Sequence, residues 1–385
     1  MKISNLFSPR TKTALMMLAY RPATTAGSIA GVISIVFLIG FQMSLFFAVM
    51  ENISGWLRHS DVDFIVVSKN TVNGLNSAAI PKAYKDRIVG LKEIAWVQPM
   101  IQGLSSIQIK GQRTELMQLI GIERPELKGG PWIFAPEQGN LEELLDYKAI
   151  TVDKLNLSAL DNPKIGDLAQ FGGKEVFLAG ITENIRSIQA PRSYANNELA
   201  AQILGRNPSL CNYLLVKAHH WAEYNEDELL KKIQLLLPQA TVYTKKGLIN
   251  STDYYNMVNT GTGVGVLSAV IASAIVGFII ISLTMFSSVI NYTKDFAILR
   301  VLGAKKRDIL TIIMIQSTFI SLIGIMFGSF FLGLALNAMK TTKLGTAYPL
   351  WFYPVQIIIC LVICYLGAIF GMRKAKSIQP ESVFR

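Results

Sequence analysis

Four segments of the chain are apolar and contain no charged residue. They cover residues 22–50, 254–293, 309–339 and 344–372. A helix that crosses a bilayer needs about 20 mostly apolar residues, so each segment is long enough to do so. The pattern therefore predicts four transmembrane helices, with a separately folded domain between the first two.

The charged stretch between the first two segments, residues 51–253, mixes strand-like and helix-like patterns. The apolar run at 61–69 predicts a strand, and SSIQIK with TELMQLIGIE predicts a hairpin that turns at 111–113. The stretch NEDELLKKIQLLLP at 225–238 predicts a helix, because acids fill its first turn and Pro238 ends it. One α+β domain is expected here.

The second apolar segment is longer than a bilayer requires. Its 40 residues would form a helix of about 60 Å, twice the hydrocarbon thickness of about 30 Å. Its first part, Tyr254–Thr262, is too polar for lipid and predicts a helical stalk that projects outward. The alternative is a loop broken at GTGVG, residues 261–265.

The distribution of charge predicts the orientation. The chain carries 37 Lys and Arg against 26 Asp and Glu, and the whole excess lies outside the nearly neutral residues 51–253. Because positive residues flank transmembrane helices on the cytoplasmic side, both termini and the loop at 294–308 are expected in the cytoplasm. Nucleic-acid binding is not expected, because the large domain has no excess of positive charge.

These patterns divide the chain into nine predicted parts. They are an amphipathic cytoplasmic helix at 1–21, transmembrane helix 1 at 22–50, a periplasmic α+β domain with stalk at 51–253, the stalk and transmembrane helix 2 at 254–293, a cytoplasmic helix at 294–308, transmembrane helix 3 at 309–339, a short outer loop at 340–343, transmembrane helix 4 at 344–372 and a cytoplasmic tail at 373–385. For the segment at 1–21 the alternative is a disordered tail.

The sequence lacks the patterns that would indicate ion coupling or ATP hydrolysis. The four apolar segments contain no Asp, Glu, Lys, Arg or His, the groups that ion-coupled transporters place within the membrane. The chain also lacks the Walker A pattern G-x-x-x-x-G-K-[ST]. It is therefore not expected to hydrolyse ATP itself, or to hold a metal or cofactor. Cys211 stands alone in the large domain, so no disulfide is expected there.

Three pairs of glycines stand four residues apart inside the apolar segments. Small residues at this spacing let helices approach closely in lipid, so at least one pair is expected to pack a helix interface, within or between subunits. The pairs are Gly27 with Gly31, Gly324 with Gly328, and Gly367 with Gly371.

The loop between the second and third apolar segments, KDFAILRVLGAKKRDIL at Lys294–Leu310, is basic and amphipathic. The stretch FAILRVL predicts about two helical turns, Gly303 is expected to end them, and KKRD starts the next helix. The apolar residues are too many for a solvated loop and predict a partner surface. The alternative is a helix at the lipid surface, held there by Lys305, Lys306 and Arg307.

This loop resembles the coupling helix of FtsX/MacB-like ABC transporter permeases, which reads E-x-[GA]-I-L-[RK]-x-[LM]-G-A before the third transmembrane helix. The ending RKAKSIQPESVFR is similar to the family's terminal A-x-x-x-x-P-x-x-x-[LF]-R, and the order of one span, a large domain and three spans is also the family's. The usual acid before the helix is here Asp295, after Lys294. The stretch FQMSLFFAVMENISGWLRHSDVDFIVVSKNT is also similar to glycolipid-exporter permeases of the DevC type.

The resemblance implies a mechanotransmission (type VII) permease with four transmembrane helices and a large α+β extracytoplasmic domain inserted between helices 1 and 2. It implies a homodimer in the bacterial inner membrane, non-catalytic itself and bound to a separate ABC ATPase that binds ATP and Mg. The residues implied to couple to that ATPase are Asp295, Phe296, Ile298, Leu299, Arg300, Leu302, Gly303, Ala304 and Lys305.

Two functions are compatible with this family resemblance. The first is export of a lipid-like or amphipathic small molecule through a periplasmic adaptor (membrane fusion protein) and an outer-membrane channel. The alternative is a transmembrane signalling subunit that activates a periplasmic cell-wall hydrolase without transport. A neighbouring adaptor gene would favour the first function, and a neighbouring hydrolase gene would favour the second.

Overall fold

The computed structural model describes residues 8–109, 113–219, 225–342 and 344–375. Within these residues the chain forms two compact units. The helical unit is formed by the described parts of 1–47, 265–340 and 346–385, and the mixed unit by the described parts of 48–264 and 341–345.

The helices and strands follow one another in a mixed order. The helices are α1 (Pro9–Tyr20), α2 (Pro22–His59), α3 (Tyr84–Ile88), α4 (Asn197–Ile203), α5 (Glu226–Leu236), α6 (Lys245–Asn259), α7 (Gly261–Asn291), α8 (Thr293–Val301), α9 (Lys306–Met339) and α10 (Phe352–Ala375). The strands are β1 (Phe64–Ser68), β2 (Ile80–Pro81), β3 (Ile94–Ile109), β4 (Thr114–Ile122), β5 (Ala149–Asp153), β6 (Leu168–Phe171), β7 (Lys174–Thr182), β8 (Arg192–Asn196), β9 (Leu210–Cys211), β10 (Tyr213–Ala218) and β11 (Ala240–Thr244).

Four helices in the described chain are long and apolar enough to cross a membrane. They are α2, the part of α7 at Gly261–Thr284, α9, and the part of α10 at Phe352–Ile369. The prediction of four such helices is confirmed, although several of their ends differ from the predicted ones.

The first apolar helix is longer than its apolar segment. It was predicted to end at residue 50, but α2 continues to His59. Ile53, Trp56 and Leu57 follow helical spacing and are buried, so tertiary packing stabilises the extra turns. The amphipathic start at 1–21 is helical over Pro9–Tyr20, where the alternative of a disordered tail is wrong, while residues 1–7 lie outside the described chain.

The third and fourth apolar helices also start at other residues than predicted. α9 begins at Lys306 rather than 309, because the Asp308 carboxylate accepts a hydrogen bond of 2.9 Å from the backbone N–H of Lys305. α10 begins at Phe352 rather than 344, since Gly345 is left-handed with φ 69° and the chain up to Trp351 is not helical. α10 ends at Ala375, past the predicted 372.

Some predicted features fall on residues that the structure does not describe. These are Lys343 of the short loop, the first two residues of the turn at 111–113, and the terminal motif from 376 onward.

The predicted stalk is interrupted at one residue. α6 ends at Asn259 and α7 begins at Gly261, because Thr260 is extended with φ −110° and ψ 146°. The prediction of an unbroken helix through Tyr254–Thr262 is therefore wrong. The alternative of a loop at 261–265 is wrong as well, since α7 is helical there.

A sheet of nine strands, counted over the described residues, forms the centre of the mixed unit. The strand order is β11-β1-β10-β3-β6-β7-β5, and β4 pairs with β3 and β8. Long β3 contacts β10 through its first half and β6 through its last residues. The predicted hairpin is confirmed, because β3 and β4 pair antiparallel from Met100 opposite Ile122 to Gln108 opposite Thr114.

Both faces of this sheet are covered, and therefore β1 is buried on both sides. Phe64 and Val66 face one core, which includes residues of α3, α4 and α5. Ile65 and Val67 face the other core, which includes Trp56 of α2 as well as residues of α6. The end of α2 and the helix α6 are thus anchored on the same side of the sheet.

The helix predicted at 225–238 is confirmed as α5. Its N-cap is Asn225, whose side chain accepts a hydrogen bond from Asp227 N–H.

Candidate functional site

The helix α8 joins α7 to α9 and contains most of the predicted coupling residues. Asp295 lies in its first turn and Arg300 in its last turn. Each side-chain charge is opposite in sign to the nearer end of the helix dipole, which stabilises the helix. At nine residues, α8 is long enough to present two different faces.

Gly303 ends α8 as the sequence predicted. Its φ is 94°, a left-handed conformation that glycine adopts without the strain that a side chain causes. The N–H of Ala304 donates to the carbonyl of Leu299 at 2.9 Å, and the N–H of Gly303 donates to that of Arg300 at 3.1 Å. This is the Schellman arrangement, and it turns the chain toward Lys305 at the start of α9.

One face of α8 packs inside the helical unit. Phe296 and Ala297 are 3% and 2% exposed, in a cluster with Ala14 of α1, Ile309 of α9 and Ala368 of α10. Phe296 was predicted to lie on the surface that meets a partner, and that prediction is wrong. The helical period places Phe296 opposite the exposed residues, and its own unit buries it.

The other face of α8 is exposed and apolar. Ile298, Val301 and Leu302 are 50%, 61% and 77% exposed. Leu299 lies between the two faces and packs partly against the internal cluster. The face open to a partner therefore consists of Ile298, Val301 and Leu302, rather than the predicted set that included Phe296.

The helix α1 continues this exposed apolar surface, which sequence reasoning missed. Met16 and Tyr20, four residues apart, are 58% and 79% exposed, while Ala14 and Leu18 on the opposite side are buried. The spacing was visible in the sequence, but nothing in the sequence indicated that α1 lies beside α8. We call the five exposed side chains of α1 and α8 (Met16, Tyr20, Ile298, Val301 and Leu302) the apolar surface.

Ion pairs and a hydrogen bond hold α1 in place. Arg10 pairs with Asp308 at 2.7 Å. Arg21 lies 3.6 Å from Asp295, the acid that the family pattern singled out. The Nε2 of Gln316 donates to the carbonyl of Ala14 at 3.5 Å. Asp295 therefore contributes to fixing α1 against α8.

A groove of about 340 Å³ runs between α1 and α8. Its walls are mostly apolar, and Asp295 is the acid among the residues that line it. They are Thr13, Met16, Met17, Tyr20, Asp295, Ile298 and Leu299. Lys294, Lys305, Lys306 and Arg307 are exposed on α8 or at the start of α9. The site can receive an apolar side chain within a positively charged border.

The glycine pairs have different surroundings. A Cβ added to Gly324 or Gly328 would lie 2.5 and 2.7 Å from Val32 and Val36 of α2, so this pair lets α9 approach α2 closely. At Gly31 the neighbour is Thr284 of α7, at 3.0 Å.

The remaining predicted glycines give no evidence of close packing. Gly27 has no atom within 4 Å of an added Cβ. Gly367 is buried in α10, and the surroundings of Gly371 lie outside what the structure describes.

Comparison with known proteins connects this part of the chain to one family. Residues 267–380 match the family described as FtsX-like permease C-terminal. This range contains α8, α9, α10 and most of α7.

One curated relative and two solved structures are also similar. An uncharacterized ABC transporter permease of Methanocaldococcus jannaschii, MJ1507, is 27% identical over 234 residues, which are 58% of this chain and 58% of that protein. The chain thus matches a little over half the length of this relative.

The periplasmic region of MacB from Actinobacillus actinomycetemcomitans covers 53% of this chain and 96% of its own, at 14% identity and a TM-score of 0.39. The extracellular domain of the ABC-type transporter YknZ from Gram-positive bacteria covers 47% of this chain and 98% of its own, at 12% identity and a TM-score of 0.34.

Proposed function

We propose that the chain is an FtsX/MacB-like ABC transporter permease, because residues 267–380 match the C-terminal domain of FtsX-like permeases and a relative that is 27% identical is an ABC transporter permease. In this proposal it couples ATP hydrolysis by a separate ATPase to movement of its mixed unit. In this proposal the chain is a non-catalytic subunit of the bacterial inner membrane and works as a homodimer. ATP and Mg bind to the ATPase rather than to this chain.

The observation that carries the proposal is the apolar surface of α1 and α8. Single exposed apolar residues are common on proteins, but a contiguous group beside a groove is typical of an interaction site. The apolar surface lies next to Gly303 and is bordered by basic residues. An ATPase face that combines apolar and acidic side chains would complement it. Arg300 and Lys305 contribute charge in this proposal, and the apolar contacts contribute most of the affinity.

The proposed orientation follows from charge. The basic residues flanking the apolar helices favour a cytoplasmic position for both termini and α8, on the side where the proposed ATPase would bind. The mixed unit then lies on the outer side of the membrane.

The helix α2 is proposed to transmit movement. α2 contributes residues 22–47 to the helical unit and residues 48–59 to the mixed unit as one unbroken helix. Its last turn is held to α6 by Arg58, which pairs with Asp253 at 2.5 Å. No loop interrupts α2 between residues 47 and 48, and in this proposal movement is carried along the continuous helix.

The transported material is proposed to be a lipid-like or amphipathic molecule handled on the outer side. The resemblance to glycolipid exporters supports this proposal, as does the absence of charged residues in the four apolar segments, because ion-coupled transporters usually place such residues within the membrane. A periplasmic adaptor and an outer-membrane channel complete the proposed exporter.

The test is ATP hydrolysis that purifies with the affinity-tagged chain from its native membranes. The double variant Ile298→Ala with Leu302→Ala removes two exposed side chains of the apolar surface. It should weaken ATPase binding by about 2–4 kcal/mol, or one to three orders of magnitude. Hydrolysis recovered with the chain should fall accordingly.

A matched control removes as much exposed apolar surface elsewhere. Leu116 and Leu235 of the mixed unit are 51% and 82% exposed, close to the values of Ile298 and Leu302. Leu116→Ala with Leu235→Ala should leave the recovered hydrolysis unchanged. If no ATP hydrolysis purifies with the wild-type chain, or if both double variants retain it equally, the proposed function is wrong.

A further inference from the structure

A second cavity, unrelated to the apolar surface, opens in the mixed unit. Its volume is about 230 Å³. Its lining includes the carboxamide side chains of Gln102, Gln118, Gln189 and Asn212, with the guanidinium of Arg206. Among the described residues that line it, none is acidic.

Hydrogen bonds determine how the carboxamide groups in the cavity lining are oriented. The Oδ1 of Asn212 already accepts from Gln102 N–H at 2.9 Å and from Arg206 Nη1 at 2.7 Å. The Oε1 of Gln118 is occupied by Arg192 Nε at 3.2 Å and by the hydroxyl of Ser187 at 3.1 Å. The Nε2 of Gln118 therefore points toward Gln189 and donates to its Oε1 at 3.4 Å, a long hydrogen bond.

One buried acceptor in the cavity wall has no partner. Gln102 is 6% exposed, and its Nε2 donates to the carbonyl of Leu75 at 2.8 Å, which orients the carboxamide. Its Oε1 has no hydrogen-bond partner in the described chain. A buried polar atom without a partner destabilises the folded state, and this Oε1 is therefore available to accept a hydrogen bond from a bound molecule.

Two positive charges stand at or behind this wall without a matching acid. Arg206 forms no ion pair with a described carboxylate, and it is held at the cavity by Asn212. Arg192, behind Gln118, is completely buried, and burial lowers the pKa of its guanidinium. Glu51, an acid whose charge acts on Arg192, pairs instead with Arg58 and His59. A bound anion would offset this uncompensated charge.

Gly103, which lines the cavity, leaves room for the guanidinium of Arg206. A Cβ added to Gly103 would lie 3.2 Å from Arg206 Nη2 and 2.8 Å from Leu204. A side chain at residue 103 would therefore crowd Leu204 and the guanidinium of Arg206.

We propose that this cavity binds an anionic, hydroxylated head group, with Arg206 holding a phosphate or carboxylate oxygen and Gln102 accepting a hydrogen from a hydroxyl. The cavity size fits a group such as glycerol phosphate or a sugar acid. Such a group occurs both as a free solute and as the head of a lipid, and the chemistry of recognition is the same. The site belongs to the mixed unit alone and needs no ATPase, so it stands independently of the proposed function.

The test measures equilibrium binding of glycerol 3-phosphate and of inorganic phosphate to the purified full chain in detergent. The wild-type chain should bind glycerol 3-phosphate more tightly than inorganic phosphate. Arg206→Gln should weaken glycerol 3-phosphate binding at least tenfold, whereas Arg113→Gln, at an exposed arginine outside the cavity lining, should leave it unchanged. Gln102→Leu should remove the preference for glycerol 3-phosphate over phosphate.

A second variant keeps the test valid if Arg206→Gln disturbs folding. Leu104 lines the cavity and is 50% exposed, so Leu104→Trp should narrow the opening and weaken binding while Arg206 is retained. Competition by phosphatidylglycerol in mixed micelles separates the two sources. Displacement by the lipid at lower concentration than by the free solute assigns the site to a lipid head group, and the reverse order assigns it to a solute. If neither phosphatidylglycerol nor glycerol 3-phosphate binds, or if binding stays within twofold in both Arg206→Gln and Leu104→Trp, the proposal is overturned.

Discussion

At the scale of single residues, neighbouring apolar side chains of α8 have opposite surroundings. Phe296 is buried within its own unit, and Leu302, six residues on, is largely exposed. Both were assigned to one docking surface from the sequence, because an apolar residue in a loop gives the same signal whether its partner is internal or external.

This difference predicts opposite phenotypes for two alanine substitutions. Phe296→Ala should lower the thermal unfolding midpoint of the detergent-purified chain, since truncating a buried Phe costs about 3–5 kcal/mol. Leu302→Ala should leave the midpoint unchanged and reduce recovered ATP hydrolysis. Equal losses of midpoint in both variants would mean that Leu302 is not exposed in the folded protein.

Gly303 supports a prediction about backbone strain. The space around it is open, so a side chain would meet no atom within 4 Å, and the cost of substitution is conformational. Gly303→Ala should cost about 1–2 kcal/mol at its left-handed φ and reduce ATP hydrolysis. Gly303→Asn is the matched control and should cost less, because asparagine tolerates this conformation better. Equal effects of the two substitutions would argue against strain at this glycine.

At the scale of elements, the sequence predicted the helices and strands whose formation depends on residues close together in the chain. The four apolar helices, α5 and the β3–β4 pair follow from apolar length, capping charge and strand pattern. The continuation of α2 to His59 could not be predicted in this way, because burial of Trp56 against the sheet stabilises it. The placement of α1 beside α8 likewise depends on Arg10 and Arg21 finding acids that are far away in sequence.

The break between α6 and α7 has a specific local cause. The Thr260 hydroxyl donates to the carbonyl of Asn256 at 2.6 Å, and it accepts a hydrogen bond of 3.1 Å from Gly263 N–H. The side chain thus caps α7 while bonding back to α6. A Cβ added to Gly263 would overlap the backbone of Asn256 and Met257, so the close approach requires glycine.

We therefore predict that Gly263→Ala alters the break, while Gly265→Ala does not. The added methyl group at residue 263 forces the backbone to shift, whereas at residue 265 there is no atom within 4 Å. Gly263→Ala should lower both the unfolding midpoint and recovered ATP hydrolysis. Gly265→Ala should keep both at wild-type values or raise the midpoint by its better helix propensity. Wild-type behaviour of Gly263→Ala would show that this close approach is not needed.

At the scale of the whole molecule, the proposed orientation is testable by thiol labelling in intact cells. The native Cys211 is a poor probe, because it is 1% exposed and burial raises the pKa of its thiol to about 12. Fewer than about one in a thousand such thiols are ionised at pH 8, so labelling should be slow until the protein is denatured.

An exposed cysteine on each side is the better design. In a chain without its native cysteines, Leu235→Cys in the mixed unit should react with a membrane-impermeant maleimide in intact cells. Lys305→Cys, in the exposed link between α8 and α9, should react only after the cells are opened. Labelling of Lys305→Cys but not Leu235→Cys in intact cells would reverse the proposed topology.

The central claim is that the apolar surface of α1 and α8 contacts an ATPase, and photo-crosslinking from that surface tests it most directly. A benzophenone amino acid at position 302 should form a covalent adduct with a protein that carries a Walker A motif, identified by mass spectrometry from native membranes. The same amino acid at position 235 should not form this adduct. A crosslink from position 302 to lipid alone, with no protein adduct, would contradict the account and make α8 a membrane-surface helix.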